Sequence, residues 1–173
     1  MVTDLVEIRR LGDAKAEENL EFRRYLAAHH ERIESFQALA AEIERHIDCT
    51  ACANCCRNAT VEVKQPEIEA IARHLGIAAE DVEIHYTVDD PDAPAMRVLK
   101  STREGCVFLS GNLCTVYEAR PTACRNFPQV EPGRHSLGAR LPSLCRWAPV
   151  CPIVYNAIEA YKHLVGYHSG QHR

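Results

Sequence analysis

The sequence predicts a mainly α protein with a small β-hairpin (α+β), in which a long N-terminal helix precedes a compact, loop-rich, cysteine-rich domain. Three observations carry this expectation. A stretch from about Asp13 to Ile47 is rich in Ala, Glu, Arg and Leu and holds neither Gly nor Pro. Four thiols then crowd into Cys49-Thr50-Ala51-Cys52-Ala53-Asn54-Cys55-Cys56. Finally, Pro128, Pro132, Gly133, Gly138, Pro142, Pro149 and Pro152 punctuate residues 128–152. The expected division is an N-terminal helical segment, 1–48, and a cysteine domain with a C-terminal helix, 49–173.

A chain of 173 residues can bury roughly 70% of its unfolded surface, so it does not need disulfides merely to form a core. The net charge is −4, with basic and acidic side chains interleaved, which argues against nucleic acid as a partner. The start, Met1-Val2-Thr3-Asp4-Leu5-Val6-Glu7, shows no basic region followed by an apolar run, and no segment approaches the roughly 18 apolar residues of a membrane span. The expected compartment is therefore the cytoplasm, where thiols stay reduced, and no membrane partner is expected.

Within the helical stretch, Phe22, Leu26, His29, Ile33, Phe36, Ala40, Ile43 and Ile47 recur at spacings of four and three, one seam with a heptad period. The charged residues lie outside it. One long helix, or two joined, is expected to lay this seam on the rest of the protein or on a second copy, which makes self-association or a protein partner the expected use of the helix. A single histidine on an apolar face is weak evidence for a ligand, so His29 is read as a packing residue.

Pro66 to Leu75 reads as a short helix, with Pro in the first turn, acids near the positive end and Gly76 as the stop. A second short helix covers about Ala79 to Tyr86. A loop through Asp89-Asp90-Pro91-Asp92-Ala93-Pro94 follows, read as solvated rather than as a cation site. Met96 to Lys100 has weak strand character. Cys106–Leu109 and Leu113–Tyr117 read as a hairpin turning through Ser110-Gly111-Asn112, which would set Cys106 and Cys114 on neighbouring strands. A short helix from Pro121 ends before Pro128, residues 128–152 read as irregular, and a last helix runs from Ile153 to about Val165.

Nine cysteines stand at Cys49, Cys52, Cys55, Cys56, Cys106, Cys114, Cys124, Cys145 and Cys151. A disulfide framework suits a small secreted chain, and an odd number of thiols without an export signal argues against it. Buried apolar cysteines account for Cys106 or Cys151 alone, not for four thiols in eight residues. A two-residue spacing between thiols matches chelation of zinc or of an iron–sulfur cluster, so the cysteine domain is expected to be metal-stapled. Neighbouring side chains diverge, so Cys55 and Cys56 point either to two sites or to one cluster with a ligand to spare. Arg57, Arg125 and Arg146 directly follow cysteines, and cationic neighbours favour thiolates.

The run Cys-x-x-Cys-x-x-Cys-Cys, followed by Gly105-Cys106-Val107-Phe108-Leu109, then Cys114-Thr115-Val116-Tyr117-Glu118-Ala119-Arg120-Pro121 and Cys124-Arg125-Asn126-Phe127-Pro128, resembles the YkgJ-type CxxCxxCC cysteine-cluster family of zinc- or iron-chelating domains. It is also similar to the cluster region of flagellin lysine methylases. The resemblance spans about residues 49 to 151 and implies a metal-binding domain. By resemblance the ligands are Cys49, Cys52, Cys55, Cys56, Cys106, Cys114 and Cys124, with an eighth place that Cys145 and Cys151 both fit.

The leading expectation is an iron–sulfur protein, carrying a [4Fe–4S] cluster, with a redox or cluster-dependent role. The alternative is a zinc-stapled structural or partner-binding module without catalytic activity. Whether the chain is an enzyme is open, because no Gly-rich phosphate loop, nucleophile elbow or His-Glu-x-x-His is present. Tyr117, Arg120 and Arg125 suggest an anion-accepting pocket, which packing and charge balance explain more cheaply.

Overall fold

A computed structural model of the chain describes residues 1–29, 33–128 and 137–169, with no side-chain account of residues 33, 34 and 137–139. Contacts divide the chain into two compact units, Met1–Asp48 together with Pro128–Arg173, and Cys49–Phe127. The stretch from Pro128 groups with the N-terminal helices. Among the described residues the protein is mainly helical, with short antiparallel strand pairs. No helix of the described residues is long and apolar enough to cross a membrane.

In the first unit, helices α1 (Leu5–Ala14), α2 (Ala16–His29), α3 (Ile33–Glu44) and α9 (Leu137–Trp147) pack with α10 (Pro152–Leu164). Asp4 opens α1, its side chain accepting from the Glu7 N–H. Ile153, Val154, Ala157, Ile158 and Tyr161 are all buried on α10, and a helix apolar nearly all round sits inside a core. Phe22 and Phe36 meet Tyr161 edge to face, with ring centroids 6.1 and 5.3 Å away. The predicted seam is therefore covered within this unit: Phe22, Leu26, Phe36 and Ala40 are buried. Ile43 and Ile47 are half-buried, and the Ile33 side chain lies outside the described set. His29 is exposed, stacking on Tyr25 at 4.0 Å with Nδ1 2.9 Å from the Tyr25 carbonyl.

Two expectations for this unit are corrected. The stretch expected as one helix or two joined from Asp13 begins eight residues earlier in α1 and is interrupted at Lys15 (φ −99°, ψ 10°). With neither Gly nor Pro at the break, composition hides it; Lys15 instead turns to pair with Glu159 on α10. Residues 137–147, expected irregular, form α9 with Pro142 inside it. Tertiary packing against α2 and α10 overrides the Pro and Gly content there.

The Lys162 side chain is only 5% exposed, yet its Nζ lies 2.6 Å from Glu18 and 2.7 Å from Glu159. A buried cation needs such partners, since an unpaired charge in an apolar interior is strongly disfavoured. Asn156, also buried, donates to the Val2 and Pro152 carbonyls and accepts from the Val2 N–H.

In the second unit, β1 (Glu62–Val63), β3 (Arg97–Leu99) and β2 (Thr87–Asp89) form an antiparallel sheet in that spatial order. Helices α6 (Gln65–Leu75) and α7 (Ala79–Tyr86) pack together beside it. Gly76 ends α6 in the left-handed conformation (φ 71°). Strand β2 takes up the start of the expected acidic loop, because Arg97 ties Thr87, Asp89 and the Glu83 carbonyl together. Two further hairpins follow, β4 (Ser101–Thr102) with β5 (Gly105–Cys106), and β6 (Leu109–Ser110) with β7 (Leu113–Cys114). A 3-10 turn at Tyr117–Ala119 leads to α8 (Thr122–Arg125). The core holds Val61, Val63, Ile68, Ile71, Val82, Leu99, Phe108 and Val116.

Gly12 tests the packing of α1. A Cβ there would lie 2.5 Å from the Pro149 Cα. Gly12→Ala gains about 1 kcal/mol of helix propensity, but backbone cannot yield as a side chain can, and overpacking costs about 1–3 kcal/mol. The substitution is expected to be net destabilising, seen as a lower urea midpoint at unchanged slope.

Candidate metal centre

The cysteine run folds as two short helical turns, α4 (Cys49–Cys52) and α5 (Asn54–Asn58), hinged at Ala53. Ala53 holds φ 47° and ψ 16°, alone among the described non-glycine residues in having positive φ, a conformation that costs an L residue roughly 1–2 kcal/mol. It is buried, and its N–H reaches the Cys49 carbonyl at 2.9 Å. The hinge breaks the run so that Cys55 and Cys56 start a new turn.

Strand β5 then comes down on α5. A Cβ at Gly105 would sit 2.7 Å from the Cys56 carbonyl oxygen and 2.8 Å from the Arg57 Cα, and Gly105 itself has φ 126°. Only glycine satisfies both demands. This approach brings Cys106 beside Cys56. The second hairpin is joined to the run by Arg57, whose guanidinium donates to the Cys52 carbonyl, the Gly111 carbonyl and Asn112 Oδ1 at 3.1, 3.0 and 2.6 Å. Asn112 Nδ2 returns a bond to the Ala51 carbonyl at 2.8 Å.

The expected single hairpin is corrected here. Cys106 pairs with Ser101 and Cys114 with Leu109, so the two cysteines stand on consecutive hairpins rather than on facing strands. The Gly111-Asn112 loop, with Gly111 at φ 61°, closes β6 on β7 too early for Cys106 to join that ladder.

Cys124 comes from α8, which Glu67 holds in place. One Glu67 oxygen accepts from the Lys64 N–H at 3.0 Å, at the start of α6, and the other from the Thr122 N–H at 2.7 Å, at the start of α8. One carboxylate thus satisfies orphan donors of two helices. Partial burial pushes the Glu67 carboxyl up, but the N–H groups of Thr122 and Lys64, the Thr122 hydroxyl and the Arg125 charge outweigh it and hold it below the ordinary range.

Four thiols come from four elements: the charges of Cys56, Cys106 and Cys114 bear on Cys124, and that of Cys56 also on Cys106 and Cys114. Cys106, Cys114 and Cys124 pack against the rim of the hydrophobic core. Burial pushes all three up, Cys124 furthest, to about 12, with the charges of Cys106, Cys56 and Cys114 adding to it. Cys56 goes the other way, down to about 6: the Cys55 thiol, 4.0 Å away between sulfurs, favours its thiolate most, burial opposes, and the Arg57 and Arg120 charges add. Among the described residues, no three Cys, His, Asp or Glu side chains already stand as a metal-holding group. The chemistry of the donors nonetheless fits a soft metal or a cluster: they are thiols only, gathered from separate elements at an apolar rim with two arginine charges on them.

Of the remaining candidates, Cys49 is exposed and Cys52 half-buried on α4, and Cys55 is half-buried beside Cys56. Cys145 and Cys151 belong to the first unit. Cys145 lies on α9, where burial pushes its thiol up to about 11 against the Lys162 and Arg23 charges, and Cys151 is buried at the start of α10. No disulfide joins any of the nine cysteines. The sequence places Gly105 in a motif and Asn112 in a turn without showing that they, with Glu67, position the thiols; a glycine directly before a cysteine is the visible signal for the first.

A cysteine-rich metal-chelating protein is the class these features define. Residues 48–151, more than half of the chain, match the CxxCxxCC family, whose description reads "Putative zinc- or iron-chelating domain", and the chain belongs to that family. No curated protein and no solved structure matches it.

Gly105→Ala and Gly111→Ala separate strain from overlap. Both glycines hold positive φ, but nothing lies within 4 Å of a Cβ at Gly111. Gly111→Ala is expected to cost about 1 kcal/mol, and Gly105→Ala at least about 2 kcal/mol more through overpacking, measured by urea unfolding under reducing conditions.

Glu67→Ala is expected to cost about 1 kcal/mol at neutral pH through two lost caps. Because the native carboxyl is held low, its contribution is fully present above the ordinary carboxylate range and is lost as pH falls through the lowered native value. The stability gap between wild type and Glu67→Ala should therefore narrow on acidification; a gap that widens would contradict the capping role.

Proposed function

We propose that the chain is an iron–sulfur protein in which thiolates of the second unit hold a [4Fe–4S] cluster with a redox or cluster-dependent role. One observation carries the reading: Cys106, Cys114 and Cys124, from β5, β7 and α8, pack on the rim of one hydrophobic core, and the close approach at Gly105 lays α5, with Cys56, against β5. In this reading they are the four ligands. Cys49, Cys52 and Cys55 supply further thiols from the same run, which suits a centre with exchangeable ligands. When bound, such a cluster supplies one-electron chemistry. The chain's own part is to hold the sulfurs at an apolar rim, to balance their charge with Arg57 and Arg120, and to limit water at Cys124. A reducing compartment, the cytoplasm, suits nine cysteines without a disulfide.

A zinc-stapled module is the second reading, favoured by the same number of coupled thiols, since four thiolates close a tetrahedral structural zinc site. Anaerobic purification followed by iron, sulfide and zinc analysis separates the two. About four iron and four sulfide per chain are expected for the cluster; colourless protein with stoichiometric zinc overturns the cluster in favour of zinc. Cys124→Ser is expected to deplete either metal, and unchanged metal content in that variant would overturn both readings.

A further inference from the structure

Arg57 follows Cys56 on α5, and its side chain reaches other segments that carry a cysteine. Its stem runs past Gly105: a Cβ there would lie 3.3 Å from the Arg57 Cγ, and Cys106 is the next residue. At the far end the two Nη groups divide. Nη1 donates to the Cys52 carbonyl on α4 at 3.1 Å, whereas Nη2 donates to the Gly111 carbonyl at 3.0 Å and to Asn112 Oδ1 at 2.6 Å, in the loop that leads into the strand of Cys114. Asn112 closes the circuit, because its Nδ2 donates to the Ala51 carbonyl at 2.8 Å, one residue before Cys52. Helix α4 buries none of its residues, so packing does little to hold it and directed bonds carry more of that task.

A thiolate centre retains its metal only while the segments that carry the sulfurs keep their separations, and groups behind the ligands commonly set those separations. We infer that Arg57 and Asn112 are positioning residues of the metal centre: their joined side chains hold the Cys52 turn, the Gly105-Cys106 strand and the Cys114 hairpin in one arrangement, so that bound metal is slow to leave. Charge alone does not require such an arrangement. Lysine supplies the same charge as a single point on a flexible stem, without the rigid fork that addresses α4 and the hairpin together. The inference rests on the metal-binding reading, for either metal, and it needs no contact between the guanidinium and a sulfur.

The test uses the full chain as purified, with its metal identified by elemental analysis. Release is timed by transfer of zinc to a zinc-chelating dye, or of iron to a ferrous chelator without oxygen, for wild type, Arg57→Lys, Asn112→Ala and the double variant. Circular dichroism checks folding. Arg57→Lys and Asn112→Ala are each expected to release metal about 10-fold faster or more, the usual scale for a group that supports the ligands. The double variant should be little faster than the faster single one, because either change opens the same clamp. Arg97→Lys controls for stability alone: it weakens the bonds to Thr87, Asp89 and the Glu83 carbonyl in the same unit, and should lower the urea midpoint while leaving release within about twofold of wild type. Release from Arg57→Lys within about twofold of wild type overturns the proposal, since charge would then suffice. Single effects that multiply in the double variant also overturn it, as does release from Arg97→Lys as fast as from Arg57→Lys at a similar midpoint. Should Arg57→Lys fail to fold, Asn112→Ala decides: wild-type release overturns the proposal and faster release supports it. Wild-type protein without zinc or iron overturns the metal-binding reading and this one together, whereas loaded wild type with indifferent variants sinks only the clamp.

Discussion

The cysteine unit depends on one close contact, the backbone of β5 lying against the backbone of α5 at Gly105. Two peptide backbones can approach that nearly only where a side chain is absent, and here the missing atom is the Cβ that would meet the Cys56 carbonyl. Cys106 follows Gly105 directly, so the contact sets the spacing of the first two coupled thiols. The Arg57 and Asn112 bonds then fix the next hairpin, and with it Cys114, against the same run. Glu67 fixes the helix that brings Cys124. Each element that carries a thiol is thus placed by backbone geometry or by bonds to backbone groups.

That placement carries an electrostatic cost. Three of the four thiols are pushed toward the protonated state by burial and by one another, while Cys56 alone is favoured as thiolate. In the proposed metal centre a bound cation would reverse this preference and release the protons. The same arithmetic explains why arginine is found near the sulfurs: a guanidinium stays charged at every relevant pH.

Elements with local causes were legible in the sequence. Helix α6 carries its own start and stop in Pro66 and Gly76, and α10 announces itself through a dense apolar pattern. The two-residue spacing of thiols showed chelation chemistry without any structure. What escaped was set by distant partners. The interruption at Lys15 answers to Glu159, and α9 forms across Pro142 because α2 and α10 cover it. Cys106 and Cys114 read as lying on neighbouring strands because Ser110-Gly111-Asn112 looks like the turn between two apolar runs; nothing local shows that this hairpin pairs Cys114 with Leu109 and leaves Cys106 to the one before. The Glu67 role was hidden for the same reason, since half of it lies at Thr122.

The bond between Asn156 and Val2 joins residues 154 positions apart, and it bears on the order of events during synthesis. A ribosome releases the second unit as one continuous stretch, so its hairpins and helices can close while later residues are still being added. The first unit is discontinuous: α1, α2 and α3 emerge early, with Phe22 and Phe36 uncovered until Tyr161 arrives. The core of the first unit can therefore close only after the cysteine segment inserted between its two halves has been made.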